Sequence, residues 1–91
     1  MDFDWDAHKN SLNRAKYGIG FEEATKVFDG PVIRGVDARH HYGEVRWFVV
    51  GVLATSPVVV IFTERGGRTR IISARRATHR EAKAYFEANQ N

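Results

Sequence analysis

Five arginines crowd the stretch from Arg65 to Arg76, directly after an apolar run from Val58 to Phe62. A guanidinium binds phosphate through two parallel N–H bonds, so clustered arginines suit a ligand that carries phosphate groups. Inside the stretch, Gly66-Gly67 separates two β-prone runs, which is a signal for a β-hairpin with a two-residue loop. The sequence therefore predicts a hairpin that carries a phosphate-binding surface.

The register of this hairpin decides which side chains share one face of the sheet. With Gly66-Gly67 as the loop, the predicted facing pairs are Arg65–Arg68, Thr63–Arg70, Ile61–Ile72 and Val59–Ala74. Because side chains alternate across a strand, Thr63 and the arginines of these pairs are expected on one face. Like charges opposite one another destabilise a sheet unless an anion shares the site, so this face is a candidate anion-binding site.

Size and charge limit the possible functions. The 91 residues and the net charge of +3 predict one domain, residues 1–91, with nucleic acid or an acidic protein as partner. The absence of cysteine excludes disulfides and thiolate metal sites. The acidic start Met1-Asp2-Phe3-Asp4 is unlike a signal peptide, and the longest apolar run, Pro57–Phe62, is too short to cross a bilayer. We therefore expect a cytoplasmic protein without membrane contact.

Helices must support the strands of this hairpin, and the first is predicted from Ala7 to Tyr17. Asp6 is a favourable N-cap, and Gly18 is the residue type that commonly follows the end of a helix. Leu12 and Ala15 give this helix a modest apolar stripe, while Lys9, Asn13 and Lys16 line much of the rest.

Two further helices are predicted. Apolar residues recur at helical spacing from about Phe21 to Phe28, where Asp29-Gly30-Pro31 ends the pattern. The sequence Thr78-His79-Arg80-Glu81 is a capping box, so the last helix should start near His79 and carry Tyr85 and Phe86 inward.

Four strands are expected between these helices: Val32–Arg39, Glu44–Leu53, Val58–Arg65 and Arg68–Arg75. The order α-α-β-β-β-β-α predicts an α+β fold, with two N-terminal helices, a four-stranded antiparallel sheet and a C-terminal helix. If Ala54–Pro57 forms a tight connection, the predicted pairs are Val50–Ile61, Phe48–Thr63 and Arg46–Arg65.

This second register adds Glu44, Arg46 and Phe48 to the face of the hairpin arginines. The opposite face is the predicted helix-packing core, and its members are Trp47, Val49, Leu53, Val58, Val60, Phe62 and Ile71. A slip of one residue in the connection would exchange the two faces.

Ordered blocks along the chain resemble a known family. They are Phe3–Asp6, Asn13–Phe21, Val27–Asp29, Arg39–Arg46 and Thr63–Ala77. Together they resemble the BrnT family of bacterial toxins, the toxin halves of type II toxin–antitoxin pairs. The family usually has Lys-His-Gly at the end of the first helix, where this chain has Lys16-Tyr17-Gly18.

The resemblance implies a RelE-like ribonuclease fold and cleavage of messenger RNA that halts translation. It also implies a BrnA-like ribbon-helix-helix antitoxin that neutralises the toxin in a hetero-oligomeric complex and represses the operon. Operator DNA would then be contacted only through the antitoxin.

RNA cleavage without a metal needs a base for the 2′-hydroxyl, cations beside the phosphorane and an acid for the leaving oxygen. Arginines stabilise charge but carry protons poorly, because they stay protonated at neutral pH. The candidate proton carriers are His8, His40, His41, His79, Glu44 and Tyr17. We expect Arg65, Arg70 and Arg46 to stabilise charge and His41 or Glu44 to move protons, without metal or cofactor.

Further side chains are predicted to bind RNA: Arg68, Arg75, Arg76, Lys16, Thr63, Phe48 and Ser73. Other interpretations stay open. The same basic face could belong to a non-catalytic interaction domain, a degenerate toxin that docks an acidic protein or nucleic acid. The arginines could also be solvated charges that discourage edge-to-edge aggregation. His40-His41 could be exposed bystanders, and Glu44 could serve only to pair with Arg46 or Arg65.

Overall fold

The α+β architecture is seen in a computed structural model, which describes residues 1–38 and 43–90. Its strands are β1 (Phe3–Asp4), β2 (Ile33–Val36), β3 (Trp47–Leu53), β4 (Ser56–Arg65) and β5 (Arg68–Arg76). Its helices are α1 (Ala7–Tyr17), α2 (Phe21–Ala24) and α3 (His79–Ala88), with a 3₁₀ helix over Thr25–Asp29. The sheet is mixed and has the strand order β1-β5-β4-β3-β2. The predicted class is confirmed, but the prediction of four antiparallel strands was wrong.

The additional strand is β1, which pairs in parallel with β5 and aligns Asp4 with Arg70. The backbone N–H of Thr69 donates to the carbonyl of Asp2 at 2.8 Å, which extends this pairing by one residue. Two residues cannot show an alternating pattern, and parallel pairing depends on a segment far along the chain, so the sequence carries no local signal for β1.

The hairpin loop at Gly66-Gly67 is confirmed. Both residues adopt the left-handed conformation, with φ of 56° and 79°, which glycine accepts without steric cost. The predicted pairs Arg65–Arg68 and Thr63–Arg70 are present in the structure.

Beyond the loop, a β-bulge changes the predicted hairpin register. Ile72 is an extra residue in β5, so Ile61 pairs with Ser73 and Val59 pairs with Arg75. The predicted partners, Ile72 and Ala74, were wrong by one residue. Because one extra residue reverses the alternation of side chains, the bulge moves Arg75 to the face that carries Thr63 and Arg70.

The register between β3 and β4 also differs from the prediction. Phe48 pairs with Ile61 rather than with Thr63, because the connection is only Ala54-Thr55 and Leu53 already pairs with Ser56. This shift of two residues keeps every side chain on its predicted face. The predicted core face is therefore confirmed, and it packs against Ile19, Phe21, Ala24 and Val27 of the helical layer.

Helix α1 has the predicted bounds and cap, but its predicted apolar stripe was wrong. Leu12 is 56% exposed, and the buried side chains are Asn10 and Asn13. The Asn13 amide donates to the carbonyls of Ile19 and Ala74, both at 2.8 Å, and its oxygen accepts from Ala74 N–H at 3.2 Å. The side of α1 that faces the sheet lies against the edge of β5, where backbone N–H and C=O groups need hydrogen-bond partners. Hydrogen bonds from Asn13 therefore attach α1 to the sheet.

The Asn13 contact takes the place of a missing strand. Among the described residues, β1 pairs only with Thr69 and Arg70 of β5, and farther along this edge the backbone N–H and carbonyl of Ala74 bond to Asn13. A primary amide has both a donor and an acceptor, and Asn13 uses both on Ala74 as a paired backbone would.

The two remaining helices differ in how well they match their predictions. Helix α2 ends at Ala24 and continues as the 3₁₀ helix, so the predicted α-helix to Phe28 was wrong in its second half. The capping box of α3 is confirmed, with Thr78 N–H donating to Glu81 at 2.8 Å and Glu81 N–H donating to Thr78 Oγ1 at 3.2 Å. Tyr85 is buried as expected, but Phe86 is 49% exposed.

Within residues 1–38 and 43–90, no helix has the length and apolar character that crossing a membrane requires.

Candidate functional site

A cluster that we call the arginine face lies at the hairpin end of the sheet, on the side opposite α1 and α2. Its members are Asp4, Glu44, Arg46, Thr63, Arg65, Arg68 and Arg70. The residues converge here because the tip of the β4–β5 hairpin, the segment before β3 and the strand β1 meet at this end of the sheet. Thr63 is only 2% exposed, and its hydroxyl donates to the Val45 carbonyl at 2.7 Å, so it ties these elements together.

Glu44 is the centre of the arginine face. Its Oε1 accepts from Arg65 Nη2 at 3.0 Å, and its Oε2 accepts from Arg46 Nε at 3.3 Å. These hydrogen bonds, with that from Arg65 the stronger influence, lower the pKa of Glu44 below its ordinary value. A general base works best when its pKa lies near the working pH, so Glu44 suits the holding of two arginines better than proton transfer.

The predicted opposition of Arg46 and Arg65 was therefore wrong. Glu44, in the segment before β3, sets a carboxylate between the two guanidiniums, which offsets the repulsion expected for facing like charges. Arg65 still exposes 55% of its side chain, so much of its guanidinium can meet a ligand.

Arg70 has a different carboxylate as its neighbour. Its Nη1 lies 3.5 Å from Oδ1 of Asp4 on β1, and its side chain is 25% exposed. Arg68 is exposed at the end of the hairpin, one residue beyond the turn. The arginine face thus presents several cations, of which Arg65 is hydrogen-bonded to Glu44 and Arg70 lies beside Asp4.

A groove with a volume of about 380 Å³ lies between β2 and α3, and Ile61 of its lining is two residues before Thr63 of the arginine face on the same strand. Its floor is apolar and is formed by Ile33, Phe48, Val50, Val59 and Ile61, and Asp37, Arg75, Arg80 and Glu81 are its charged lining residues. The ring of Phe48 lies over Gly35, where a Cβ would come within 2.7 Å of the ring carbons. Glycine at this position therefore lets Phe48 form part of the floor.

Arg75 and Glu81 close one side of the groove. The two side chains form a bidentate pair, with Nη1 to Oε1 at 2.8 Å and Nη2 to Oε2 at 2.9 Å. The Arg75 guanidinium, together with the backbone N–H of Thr78, lowers the pKa of Glu81 to about 2. This pair joins β5 to α3 and depends on the bulge that turns Arg75 toward this face.

Acid should weaken the link between β5 and α3. Because the folded-state pKa of Glu81, about 2, lies below its ordinary value of 4.5, its contribution to stability is complete above pH 4.5 and is lost as the pH falls through 2. We expect Glu81→Gln to lower the free energy of unfolding at pH 7 by about 1–2 kcal/mol, and the difference from wild type to shrink at pH 2. Urea unfolding at pH 7, 4 and 2 measures this.

The matched control is Glu87→Gln, which removes the same charge from an exposed position on α3. It should leave the pH dependence of stability close to that of wild type. A Glu81→Gln variant whose stability runs parallel to wild type from pH 7 to pH 2 would contradict the role of the pair.

The predicted site residues are only partly brought together. Phe48, Ser73 and Arg75 lie farther along the same face, in and beside the groove. Lys16 does not join them, since it lies on α1 in the opposite layer with its ammonium 5.1 Å from the Tyr17 ring centroid. Arg76 pairs with Val58, which belongs to the helix-side core, so Arg76 shares that opposite face.

His41 lies outside the described residues. Within residues 1–38 and 43–90, no three His, Cys, Asp or Glu side chains form a group that could hold a metal ion.

The sequence prediction missed Asp4 as a member of the arginine face and Glu81 as a member of the groove. The capping box identified Glu81 as a helix-start residue, but its pairing with Arg75 needed the bulge. Asp4 falls in a block that resembles the family, but nothing in the sequence placed it beside Arg70.

The family model described as the ribonuclease toxin BrnT of type II toxin–antitoxin systems matches residues 5–81. No curated protein sequence matches the chain. The matched region runs from the residue before the N-cap of α1 to the first turn of α3. It includes every residue of the arginine face except Asp4, which lies one residue before its start.

Proposed function

Since the chain belongs to the BrnT family of ribonuclease toxins from type II toxin–antitoxin systems, we propose that it is a metal-independent endoribonuclease that cuts RNA and so halts translation. The observation that supports this function most strongly is the arginine face. Arg65 and Arg70 lie on neighbouring strands of one open sheet surface, Arg65 hydrogen-bonded to Glu44 and Arg70 with Asp4 at 3.5 Å. Guanidiniums fixed before the reaction can stabilise a phosphorane without the cost of ordering them during it.

In the proposed reaction the 2′-oxygen of a ribose attacks the adjacent phosphorus, and the bond from phosphorus to the 5′-oxygen of the next nucleotide breaks. The products are a 2′,3′-cyclic phosphate and a 5′-hydroxyl. Arg65 and Arg70 donate N–H bonds to the non-bridging oxygens, where negative charge accumulates. Arg46 is held through Glu44, and Arg68 adds a further positive charge near the turn.

Proton transfer must come from another group, because the arginines remain protonated. We assign it to His41, whose residue type has an unperturbed pKa of about 6.5 and can both accept and donate a proton at neutral pH. The lowered pKa of Glu44 supports this choice, since a carboxylate stabilised by two guanidiniums accepts a proton poorly. Glu44 then acts by holding Arg46 and Arg65 in place.

Expression of the protein alone in bacteria tests the proposed function. Growth should stop after induction, and primer extension on cellular RNA should show new 5′ ends that are absent from cells with the Arg65→Ala, Arg70→Ala double variant. Continued growth with intact RNA, at a level of folded protein that supports arrest by a known toxin, would contradict it. A non-catalytic interaction domain would give that result.

Membership in a type II system implies an antitoxin partner, and we propose a BrnA-like ribbon-helix-helix protein. We further propose that an acidic, amphipathic segment of it covers the arginine face and the adjoining groove. The apolar floor with Phe48, Val50 and Ile61 suits apolar side chains on one side of a helix. The arginines beside it suit acidic side chains on the same helix.

Salt and charge reversal should therefore affect antitoxin binding. We expect the association rate with the product of the adjacent gene to fall as salt rises, and to fall further in the Arg65→Glu, Arg70→Glu variant. Stopped-flow association at several salt concentrations measures both effects. The control is Lys9→Glu, Lys26→Glu, which makes the same change in net charge at exposed positions of the helical layer. A rate insensitive to salt, or equal losses in both variants, would contradict this placement.

A further inference from the structure

Strand β1 fixes a carboxylate beside Arg70. The backbone just before Asp4 is held at two successive residues, because the Asp2 carbonyl accepts from Thr69 N–H and Phe3 packs against the helix-side core. Asp4 itself is aligned with Arg70 by the parallel pairing of β1 with β5. Asp6 then caps α1 by accepting from Lys9 N–H at 2.9 Å. Asp4 therefore has little freedom to move away from Arg70.

The ion pair between Asp4 and Arg70 leaves one carboxylate oxygen of Asp4 without a hydrogen bond from the described residues. Oδ1 of Asp4 lies 3.5 Å from Arg70 Nη1, which is long for a hydrogen bond. The same oxygen is shielded from solvent and accepts no hydrogen bond from the described residues. A shielded carboxylate oxygen without a donor is unfavourable, so it attracts the guanidinium beside it. The side chain of Asp4 is 32% exposed and that of Arg70 is 25% exposed, so solvent screens the attraction between their charges only in part.

We infer that Asp4 is a positioning residue, which orients the Arg70 guanidinium so that its other N–H groups face a phosphate on the arginine face. This inference rests on the proposed function. Asp4 serves Arg70 as Glu44 serves Arg65, each carboxylate coming from a segment outside the hairpin. The parallel strand β1 thereby contributes to the site without touching the substrate.

The test is Asp4→Asn, which keeps the shape of the side chain and removes its charge. Single-turnover cleavage of RNA should slow about ten- to a hundredfold, the size of loss that a misplaced reacting group causes. The melting temperature should stay within a few degrees of wild type. Asp2→Asn is the matched control, since it removes the same charge from an exposed side chain two positions earlier. That variant should cleave at the wild-type rate.

Coupling to Arg70 distinguishes positioning from a general effect of charge. In an Arg70→Lys background, Asp4→Asn should cause less than about a threefold further loss, because the oriented guanidinium is already gone. In an Arg65→Lys background it should cause its full loss. Equal losses in both backgrounds, a loss equal to that of Asp2→Asn, or a loss explained by unfolding would overturn the inference.

The same single and double variants can also be compared by their binding to an RNA with 2′-O-methyl groups, which cannot be cut. This measurement keeps the inference testable if the wild-type protein cleaves no RNA. Absence of cleavage would refute the proposed function alone. Coupled losses of binding for Asp4→Asn and Arg70→Lys would still support Asp4 as the residue that orients Arg70. Additive losses would overturn that role.

Discussion

Replacing either Arg65 or Arg70 with alanine is expected to slow RNA cleavage by about a hundred- to a thousandfold, the usual effect of removing one charge-stabilising donor. The fold should stay intact, because both side chains lie outside the two apolar clusters and reach solvent. Single-turnover cleavage and urea unfolding of each variant measure the two effects separately.

Lysine at either position should restore only part of the rate, since a point charge cannot replace the two parallel N–H bonds of a guanidinium. Arg14→Ala is the matched control. Arg14 is 55% exposed and pairs with Glu22 at 3.0 Å, as Arg65 is 55% exposed and pairs with Glu44 at 3.0 Å, but it lies in the helical layer. Arg14→Ala should therefore leave the rate of RNA cleavage unchanged. If Arg14→Ala slowed cleavage as much as Arg65→Ala does, the proposed site would be refuted.

Asn13→Ala is expected to lower the free energy of unfolding by about 3 kcal/mol, because it leaves three buried backbone groups without partners. These groups are the carbonyl of Ile19 and both the carbonyl and the N–H of Ala74. Asn13→Asp should destabilise at least as much at pH 7, since an ionised carboxylate cannot donate to the two carbonyls. Urea unfolding measures both variants.

Ser11→Ala, at an exposed position of the same helix, controls for a general change in α1 and should be close to neutral. A buried polar group left unpaired usually costs ~1–3 kcal/mol. If Asn13→Ala lowered the free energy of unfolding by less than about 1 kcal/mol, contacts other than these hydrogen bonds would be what docks α1.

Local signals predicted the parts of the fold that depend on neighbours in sequence. The caps at Asp6 and Thr78 and the glycines of the hairpin each satisfy a geometric demand within a few residues. Face assignment also succeeded for β3 and β4, because the alternation of Val58, Val60 and Phe62 survives a shift of two residues, but it failed in β5 beyond the bulge.

Features that depend on distant segments were not predictable. The pairing of β1 with β5 joins residues 66 positions apart, as Phe3 with Thr69. Nothing near Ile72 marks it as a bulge, yet it decides the face of Arg75. The polar docking of α1 contradicts the rule that apolar residues face the core, because the edge of β5 presents backbone groups and requires a side chain that can pair with them.

The candidate site shows the same division. Alternation on the hairpin was enough to predict that Arg65, Arg68 and Arg70 share a face. The carboxylates of Asp4 and Glu81 were not predictable as partners of arginines, because they reach them only through β1, the bulge and α3. The sequence thus indicated the arginines of the site, and the structure adds the carboxylates that lie beside them.

Cleavage of RNA by purified protein, freed of antitoxin and assayed in EDTA, tests the central claim most directly. Naked and ribosome-bound RNA are both used, and the products are examined for 2′,3′-cyclic phosphate ends. We predict cleavage by wild type and Arg14→Ala, and its loss in Arg65→Ala and Arg70→Ala. Failure of the wild-type protein to cut either RNA would contradict the ribonuclease function, and full activity of the Arg65 and Arg70 variants would contradict the site.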